Sequence, residues 1–185
     1  MSARSLHDSA IDRLSAWRTD SPDAESLRHT MLAFLDSAPD GCLREHAPGH
    51  ITASSIVLDA DHRNVLLTLH PRVGRWIQLG GHCEPADETV VDAALREATE
   101  ESGISGLVID PDLLSAHTHP ITCSLGVPTR HLDLRFLVTA PSGARPVRSH
   151  ESTDLQWWPV DALPAEAEHE TIAHLVRLAA ARRHR

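Results

Sequence analysis

The stretch GGHCEPADETVVDAALREATEESGI, residues 80–104, decides the fold prediction for this chain. From about residue 88 to 102 it has helical spacing, and it ends at Gly103, a residue type that commonly terminates helices. On a helix that turns by about 100° per residue, Glu97, Glu100 and Glu101 share one arc because they are three and four positions apart. The neighbouring arc is apolar and contains Val91, Ala94, Leu95 and Ala98. The segment therefore predicts an amphipathic helix that carries three carboxylates beside its buried face.

These three carboxylates have two interpretations. Like charges at this spacing repel each other and weaken a helix unless a cation lies among them, and a hard divalent cation prefers such oxygen ligands. The alternative is a solvated charged face in which Arg96 pairs with Glu100. A bare Arg-Glu-x-x-Glu-Glu run would favour that alternative, but this run follows a Gly-Gly pair, which lets the backbone approach a ligand closely.

Taken in order, the stretch is similar to the signature of the Nudix family. That signature is Gly, five residues, Glu, seven residues, Arg-Glu, an apolar residue, any residue, Glu-Glu, any residue, Gly and an apolar residue. The matching positions are Glu88, Arg96, Glu97, Ala98, Glu100, Glu101, Gly103 and Ile104. The chain departs from the signature at its start, because six residues separate Gly81 from Glu88. An extra residue in the loop 84–87 would explain this departure.

The resemblance implies a metal-dependent site that uses Mg²⁺ or Mn²⁺. It implies that Glu97 and Glu101 are the principal metal ligands, and that Glu100 is a further ligand or the group that activates water. A backbone carbonyl of Gly80 or Gly81 is expected to complete the metal shell.

The resemblance also implies roles for Arg96 and Glu151. Arg96 is expected to orient the glutamates rather than to contact the substrate. Some enzymes of the family, the MutT type among them, have a glutamate six residues before a tryptophan in a strand, and this glutamate binds metal or acts as a base. Glu151 is at that distance from Trp157. An exposed loop acid is the alternative for Glu151. The candidate catalytic residues are thus Glu100, Glu101, Arg96 and Glu151, and the candidate metal ligands are Glu97, Glu101, Glu100 and Gly81.

The segment 131–138 (HLDLRFLV) alternates as a strand does and provides the substrate-binding candidates. His131, Asp133 and Arg135 face one way, either into a substrate cleft, with Arg135 holding a phosphate, or into solvent. Trp76 or Trp157 is available to stack on a base, although core packing is the more common use of tryptophan.

Histidine is abundant, with fourteen residues. His117 and His119 share a strand face, and His82 follows the glycine pair. Because spacing fixes no third ligand for a zinc site, we interpret these histidines as surface or core-rim residues.

The order of elements predicts an α/β fold, and the resemblance implies a Nudix-type α/β/α sandwich with a mixed central sheet. Residues 1–48 form a predicted N-terminal helical extension, and residues 49–185 form the predicted Nudix domain. Strands are expected at 50–59, 65–69, 76–79, 106–110, 113–119, 131–139 and 154–158. Helices are expected at about 88–102 and 164–183, with two more in the extension. The second of these is expected to start at Ser21-Pro22-Asp23, with Ser21 as its cap, and to stop at Pro39-Asp40-Gly41. The extension helices would cover the cleft or build a homodimer.

Composition limits the possible partners. The net charge of −9 argues against a nucleic acid polymer, because duplex binding shows clustered Lys and Arg, yet it permits a small phosphorylated substrate held through a metal. Three distant cysteines, no signal-like start and no membrane-length apolar run predict a soluble, cytoplasmic protein with no membrane partner.

The predicted function is metal-dependent hydrolysis of a phosphoanhydride bond in a nucleoside diphosphate derivative or a nucleoside triphosphate. One alternative is an enzyme similar to isopentenyl-diphosphate isomerase, which shares the fold and needs a reactive cysteine and a His/Glu metal site; Cys83 beside His82 superficially fits it. The other is a nucleotide-binding Nudix domain without catalysis, although such domains usually lack the box carboxylates that are present here.

Overall fold

The chain forms seven strands and four helices in a computed structural model, which describes residues 3–122, 126, 128–149 and 152–182. The helices are α1 (Ala3–Ala16), α2 (Pro22–Ser37), α3 (Val90–Ser102) and α4 (His169–Arg182). The strands are β1 (His50–Leu58), β2 (Asn64–Leu69), β3 (Trp76–Ile77), β4 (Leu79–His82), β5 (Val108–Thr122), β6 (Pro128–Thr139) and β7 (Asp154–Pro159). Among the described residues, no helix has the length and apolar character needed to cross a membrane.

The sheet is built around β1, which is buried along its whole length. β1 pairs in parallel with β6 on one side. On its other side, it pairs antiparallel with β4 near its start and with β2 near its end. β5 pairs antiparallel with β6, and β3 and β7 pair antiparallel with β2. The mixed sheet is confirmed, and its parallel β1–β6 pair places two strands that are distant in sequence side by side.

Helices cover both faces of the sheet. α3 packs on the face to which Ile51, Ala53 and Phe136 contribute. α4 packs on the opposite face, where Ile172 and Leu175 join a separate hydrophobic cluster. Strands covered on both faces become buried along their length, as β1 is. The predicted α/β/α sandwich is confirmed.

The N-terminal helices pack on the α3 side of the sheet. Leu6, Leu14, Met31 and Leu35 are fully buried in the same cluster as Ile51. These two helices therefore belong to the hydrophobic core of the sandwich.

The predicted start of α2 is confirmed. Ser21 precedes the helix in an extended conformation, and its Oγ accepts a hydrogen bond from the N–H of Ala24 at 3.3 Å. Pro22 occupies the first turn, where a missing N–H has no cost.

Four predicted boundaries were wrong. The strands at 106–110 and 113–119 are one strand, β5, whose register shifts between Asp110 and Ser115, as a bulge requires. The strand at 76–79 is divided into β3 and β4, which pair with different neighbours. β6 begins at Pro128, three residues before the predicted strand start. α4 begins at His169 rather than at 164, because residues 164–167 form a turn in which the Ala167 N–H donates to the Pro164 carbonyl.

Candidate active site

α3 begins and ends at well-formed caps, and these set the orientation of its carboxylates. Thr89 precedes the helix, and its Oγ1 accepts a hydrogen bond from the N–H of Asp92 at 3.1 Å. Gly103 ends it with φ of +64°, a left-handed conformation that favours glycine, and its N–H donates to the Thr99 carbonyl at 2.8 Å. The helix is buried at Val90, Ala93, Ala94, Ala98, Glu101 and Ser102.

The glycine pair brings β4 directly against two of the helix carboxylates. The N–H of Gly80 donates a 2.9 Å hydrogen bond to Oε2 of Glu101, which is only 8% exposed. A Cβ atom on Gly81 would lie 2.7 Å from Oε2 of Glu97. A Cβ on Gly80 would clash with the backbone of Ser54, and Gly80 has φ of +145°, which side chains rarely adopt. Glycine at both positions therefore permits the close approach of β4 to Glu97 and Glu101.

Arg96 connects the loop between β4 and α3, strand β4 and helix α3 itself through hydrogen bonds. Its Nε and Nη2 each donate to Asp87 at 3.0 Å, and Nη2 also donates to the backbone carbonyl of His82 at 2.9 Å. Its Nη1 donates to Glu97 at 2.9 Å and to Glu100 at 3.1 Å. The hydrogen bonds to Asp87 are the largest cause that raises the pKa of Arg96, so the guanidinium remains cationic. Arg96 is thus positioned to hold the carboxylates in fixed relation to β4.

Sequence reasoning missed Asp87. This residue is 8% exposed, and its Oδ2 accepts a further hydrogen bond from the N–H of Glu84 at 2.7 Å. Glu88, which the signature match selected, is exposed to solvent. The signature has five residues between its glycine and its first acid, and five residues separate Gly81 from Asp87, so counting forward from Gly81 would have selected Asp87. Relative to the signature, the extra residue therefore lies between Asp87 and Arg96.

Four carboxylates lie close together at this place. Asp87, Glu97 and Glu100 contact the guanidinium of Arg96, and Glu101 accepts the hydrogen bond from Gly80 beside them. Such a group of carboxylate oxygens beside a strand whose Gly81 has no Cβ fits a hard dication, because Mg²⁺ and Mn²⁺ prefer oxygen ligands. The donor set therefore agrees with the predicted cofactor class.

The polar face of β6 is buried rather than open to solvent. Asp133 is 4% exposed and accepts hydrogen bonds from Thr52 at 3.1 Å, Ser54 at 2.9 Å and the Nε of Arg135 at 2.8 Å. Arg135 is 5% exposed. Leu132, on the opposite face, joins the α3 cluster, which confirms the predicted alternation. The solvent-face interpretation is wrong for Asp133 and Arg135, because both belong to a hydrogen-bonded network.

The structure brings His82 together with two histidines that the sequence did not connect. His50 and His131 are directly opposite each other in the parallel β1–β6 pair, and the ring of His82 lies beside both. His119 also contacts His131, with ring centroids 5.2 Å apart. Sequence spacing fixed no third imidazole beside His82; pairing of β1 with β6 and β4 in the folded chain supplies two.

Burial keeps these imidazoles neutral. It is the largest cause that lowers the pKa of His82 to about 4 and that of His131 to about 3, and the neighbouring histidines act in the same direction. Burial also lowers the pKa of His50. His117 and His119 share a strand face as predicted, and burial lowers the pKa of each.

The remaining candidate residues are the two tryptophans considered for base stacking and Glu151. Trp76 is 7% exposed and packs edge to face against Trp158, so its predicted use in the core is confirmed. Trp157 is partly buried against the cluster that contains Val57. Glu151 lies outside the described residues.

Comparison with known proteins identifies the family. Residues 48–179 match the NUDIX domain model. The NAD-capped RNA hydrolase NudC of Pseudomonas aeruginosa is 33% identical over 141 residues, which are 75% of this chain and 47% of the relative. The chain thus spans about half the length of that curated relative.

Solved structures agree on the fold. A NUDIX-family hydrolase from Clostridium perfringens matches 71% of this chain and 97% of its own, with 24% identity and a TM-score of 0.54. A UDP-X diphosphatase matches 100% of this chain and 98% of its own, with 16% identity and a TM-score of 0.55, so its match extends over the N-terminal helices. Together with the capped helix and its carboxylates, these matches establish that the chain belongs to the Nudix family of hydrolases.

Proposed function

We propose that this Nudix pyrophosphohydrolase cleaves a phosphoanhydride bond in a nucleoside diphosphate derivative and requires Mg²⁺ or Mn²⁺. The observation that supports this proposal is the group of Glu97, Glu100 and Glu101 on α3, which lies against the glycine pair of β4 and beside Arg96. Glu97, Glu101, Glu100 and the backbone of Gly81 would hold the dication. When bound, such an ion neutralises phosphate charge and lowers the pKa of bound water.

Proton transfer and positioning are assigned to different side chains. Glu101 is 8% exposed and hydrogen-bonded to Gly80, whereas the side chain of Glu100 is 60% exposed. An exposed carboxylate suits a group that takes a proton from water and returns it to solvent, so Glu100 is our candidate general base. Arg96 keeps Glu97 and Glu100 in position. Glu151 remains a second candidate for metal binding or for proton transfer.

The relatives and the net charge support a substrate class. A relative that acts on NAD-capped RNA favours a dinucleotide-like diphosphate. With a net charge of −9, the free dinucleotide is the better substrate for this chain than a capped polymer. His131, Asp133 and Arg135 are the candidate substrate contacts, with Arg135 held by Asp133.

A substrate panel tests the proposal. Purified protein would be assayed with NADH, nucleotide sugars, dinucleoside polyphosphates, nucleoside triphosphates and NAD-capped RNA. We expect release of a nucleoside monophosphate that depends on Mg²⁺ or Mn²⁺ and stops with chelator. Glu101→Gln should lose at least about a hundredfold in rate, since both metal binding and proton transfer depend on these acids. The matched control is Glu170→Gln, the same chemical change at an exposed position of α4, which should keep full activity. Activity that survives chelator would refute the proposal.

The isomerase alternative requires a reactive cysteine, and Cys83 does not have that character. It is 3% exposed, lies in the α3-side cluster, and burial raises its pKa well above the ordinary value, so it remains a thiol. An isomerisation assay with isopentenyl diphosphate should therefore show no turnover. A binding domain without catalysis is disfavoured because Glu97, Glu100 and Glu101 are all present; turnover in the panel would exclude it.

A further inference from the structure

Three histidine rings converge where β1, β4 and β6 lie side by side. His50 and His131 are partners in the parallel pair, and His82 is paired with Thr52 on the other side of β1. Every pair of these rings has its centroids 5.1 Å apart, so the rings form a nearly equilateral triangle.

The ring nitrogens point to a common space. One nitrogen from each of the three histidines lies within 4.8 Å of the other two. Nitrogens bound to a tetrahedral zinc ion at the usual 2.0–2.1 Å are about 3.3 Å apart. Small rotations of the three side chains would close this difference.

Two ring nitrogens of this group have no hydrogen-bond partner among the described residues. Nδ1 of His50 donates to the backbone carbonyl of His46 at 3.3 Å, which leaves its Nε2 as the unprotonated nitrogen. Nε2 of His50 and Nε2 of His131 are buried and have no hydrogen-bond partner among the described residues. A ring that binds a metal through one nitrogen commonly donates the other N–H to a backbone carbonyl, as His50 does. A cation bound by ring nitrogens would satisfy both of these buried, unpartnered atoms at once.

We propose that His50, His82 and His131 form a second metal site, specific for a transition metal ion such as Zn²⁺. Three imidazoles favour zinc, cobalt, nickel or copper over magnesium or calcium, in contrast to the carboxylates of α3. Three protein ligands leave a tetrahedral ion with one position for water or for an oxygen of a ligand.

The two sites lie on opposite faces of β4. Leu79 and Cys83 belong to clusters on the α3 face, where Glu97 also approaches Gly81. His82 alternates with Gly81 and Cys83 and therefore faces the other side of the sheet. Occupancy of the histidine site can thus be measured independently of the carboxylate site.

Metal titration of the full chain tests this proposal. Tag-free protein stripped with chelator would be titrated with Zn²⁺ by calorimetry and with Co²⁺ by visible absorption. We expect one equivalent of Zn²⁺ and the intense visible bands of tetrahedral Co²⁺. His131→Gln and His50→Gln should each weaken Zn²⁺ binding by at least about tenfold, in line with the sensitivity of metal sites to their ligands. The matched control, His29→Gln, removes an imidazole that is 67% exposed on α2 and should bind Zn²⁺ as the wild type does.

A second set of measurements separates this site from the proposed hydrolase site. Glu101→Gln should lose hydrolysis and keep the zinc equivalent, so failure of one proposal is distinguishable from failure of the other. X-ray absorption at the zinc edge of the wild-type protein, which does not depend on any variant folding, should show three imidazole ligands. Zinc binding that is unchanged in both His131→Gln and His50→Gln, or a zinc shell without imidazole, would overturn the proposal.

Discussion

At the scale of single residues, Arg96 determines how the acids of the site are arranged. One guanidinium contacts Asp87 on the loop, the His82 carbonyl on β4, and two glutamates on α3. Bidentate arginine–carboxylate pairs are stronger and more directional than single hydrogen bonds. The Asp87–Arg96 pair is therefore the contact on which the positions of Glu97 and Glu100 depend most.

This pair leads to a prediction about two adjacent acids. Asp87→Asn should lower kcat/KM by roughly 10- to 100-fold, because residues that hold metal ligands in place commonly have effects of that size. Glu88→Gln should change kcat/KM by less than about twofold, because its side chain is exposed. Steady-state assays with the best substrate of the panel, with circular dichroism to verify folding, measure both. Equal effects at the two positions would contradict the inference that Asp87, rather than Glu88, holds Arg96 in place.

At the scale of elements, the caps at its two ends hold α3 in position. Thr89 caps its start, and Gly103 reverses the chain at its end with a left-handed conformation. A Cβ on Gly103 would also lie 2.9 Å from Cβ of Val147, so the segment after β6 closes over the helix end. Any movement of this end would displace Glu100 and Glu101, which lie in the last turn.

We therefore expect Gly103→Ala to destabilise the protein. The left-handed conformation costs an L-residue about 1–2 kcal/mol, and the contact with Val147 adds to that cost. For a chain of this length, the melting temperature should fall by roughly 2–8 °C. The matched control is Gly143→Ala, at which φ is +73° and no atom lies within 4 Å of the added Cβ. Thermal unfolding followed by circular dichroism should show a larger decrease for Gly103→Ala; equal decreases would mean that Val147 does not restrict this position.

At the scale of the whole molecule, the N-terminal helices share the core of the sandwich. Leu14 and Met31 are fully buried in the cluster that contains Ile51 and Phe136. Removing these helices would expose the apolar surface they cover, with a cost of about 25 cal/mol for each Å². Their contribution to stability should therefore be comparable to that of the other helices.

The resulting prediction concerns cooperativity. Leu14→Ala should lower the free energy of unfolding by about 2–5 kcal/mol, as expected for a large-to-small change in a core. Val73→Ala, at a side chain that is 43% exposed, is the control and should have little effect. Urea unfolding monitored by tryptophan fluorescence and circular dichroism should give a single coincident transition for the wild type. Two separate transitions, or a fragment 49–185 as stable as the full chain, would show instead that residues 1–48 fold as an independent extension.

Local rules allowed much of this protein to be predicted from its sequence. Helical periodicity, the Ser21 cap and Gly103 act over a few residues, so α2 and α3 were predicted with nearly correct bounds. The same short range placed Glu97, Glu100 and Glu101 on one arc, and the order of the motif indicated the family.

Only the tertiary structure decided which distant residues meet. The parallel pairing of β1 with β6 joins positions 81 residues apart, and this pairing depends on the burial of whole strand faces rather than on any local signal. It made His50 a neighbour of His131 and buried the Asp133–Arg135 pair, which alternation alone left either solvated or in a cleft. Loop geometry likewise selected Asp87 over Glu88 as the partner of Arg96, because a difference of one residue in a loop determines which side chain points inward. Sequence therefore determined the helix that carries the acids, and folding determined what surrounds them.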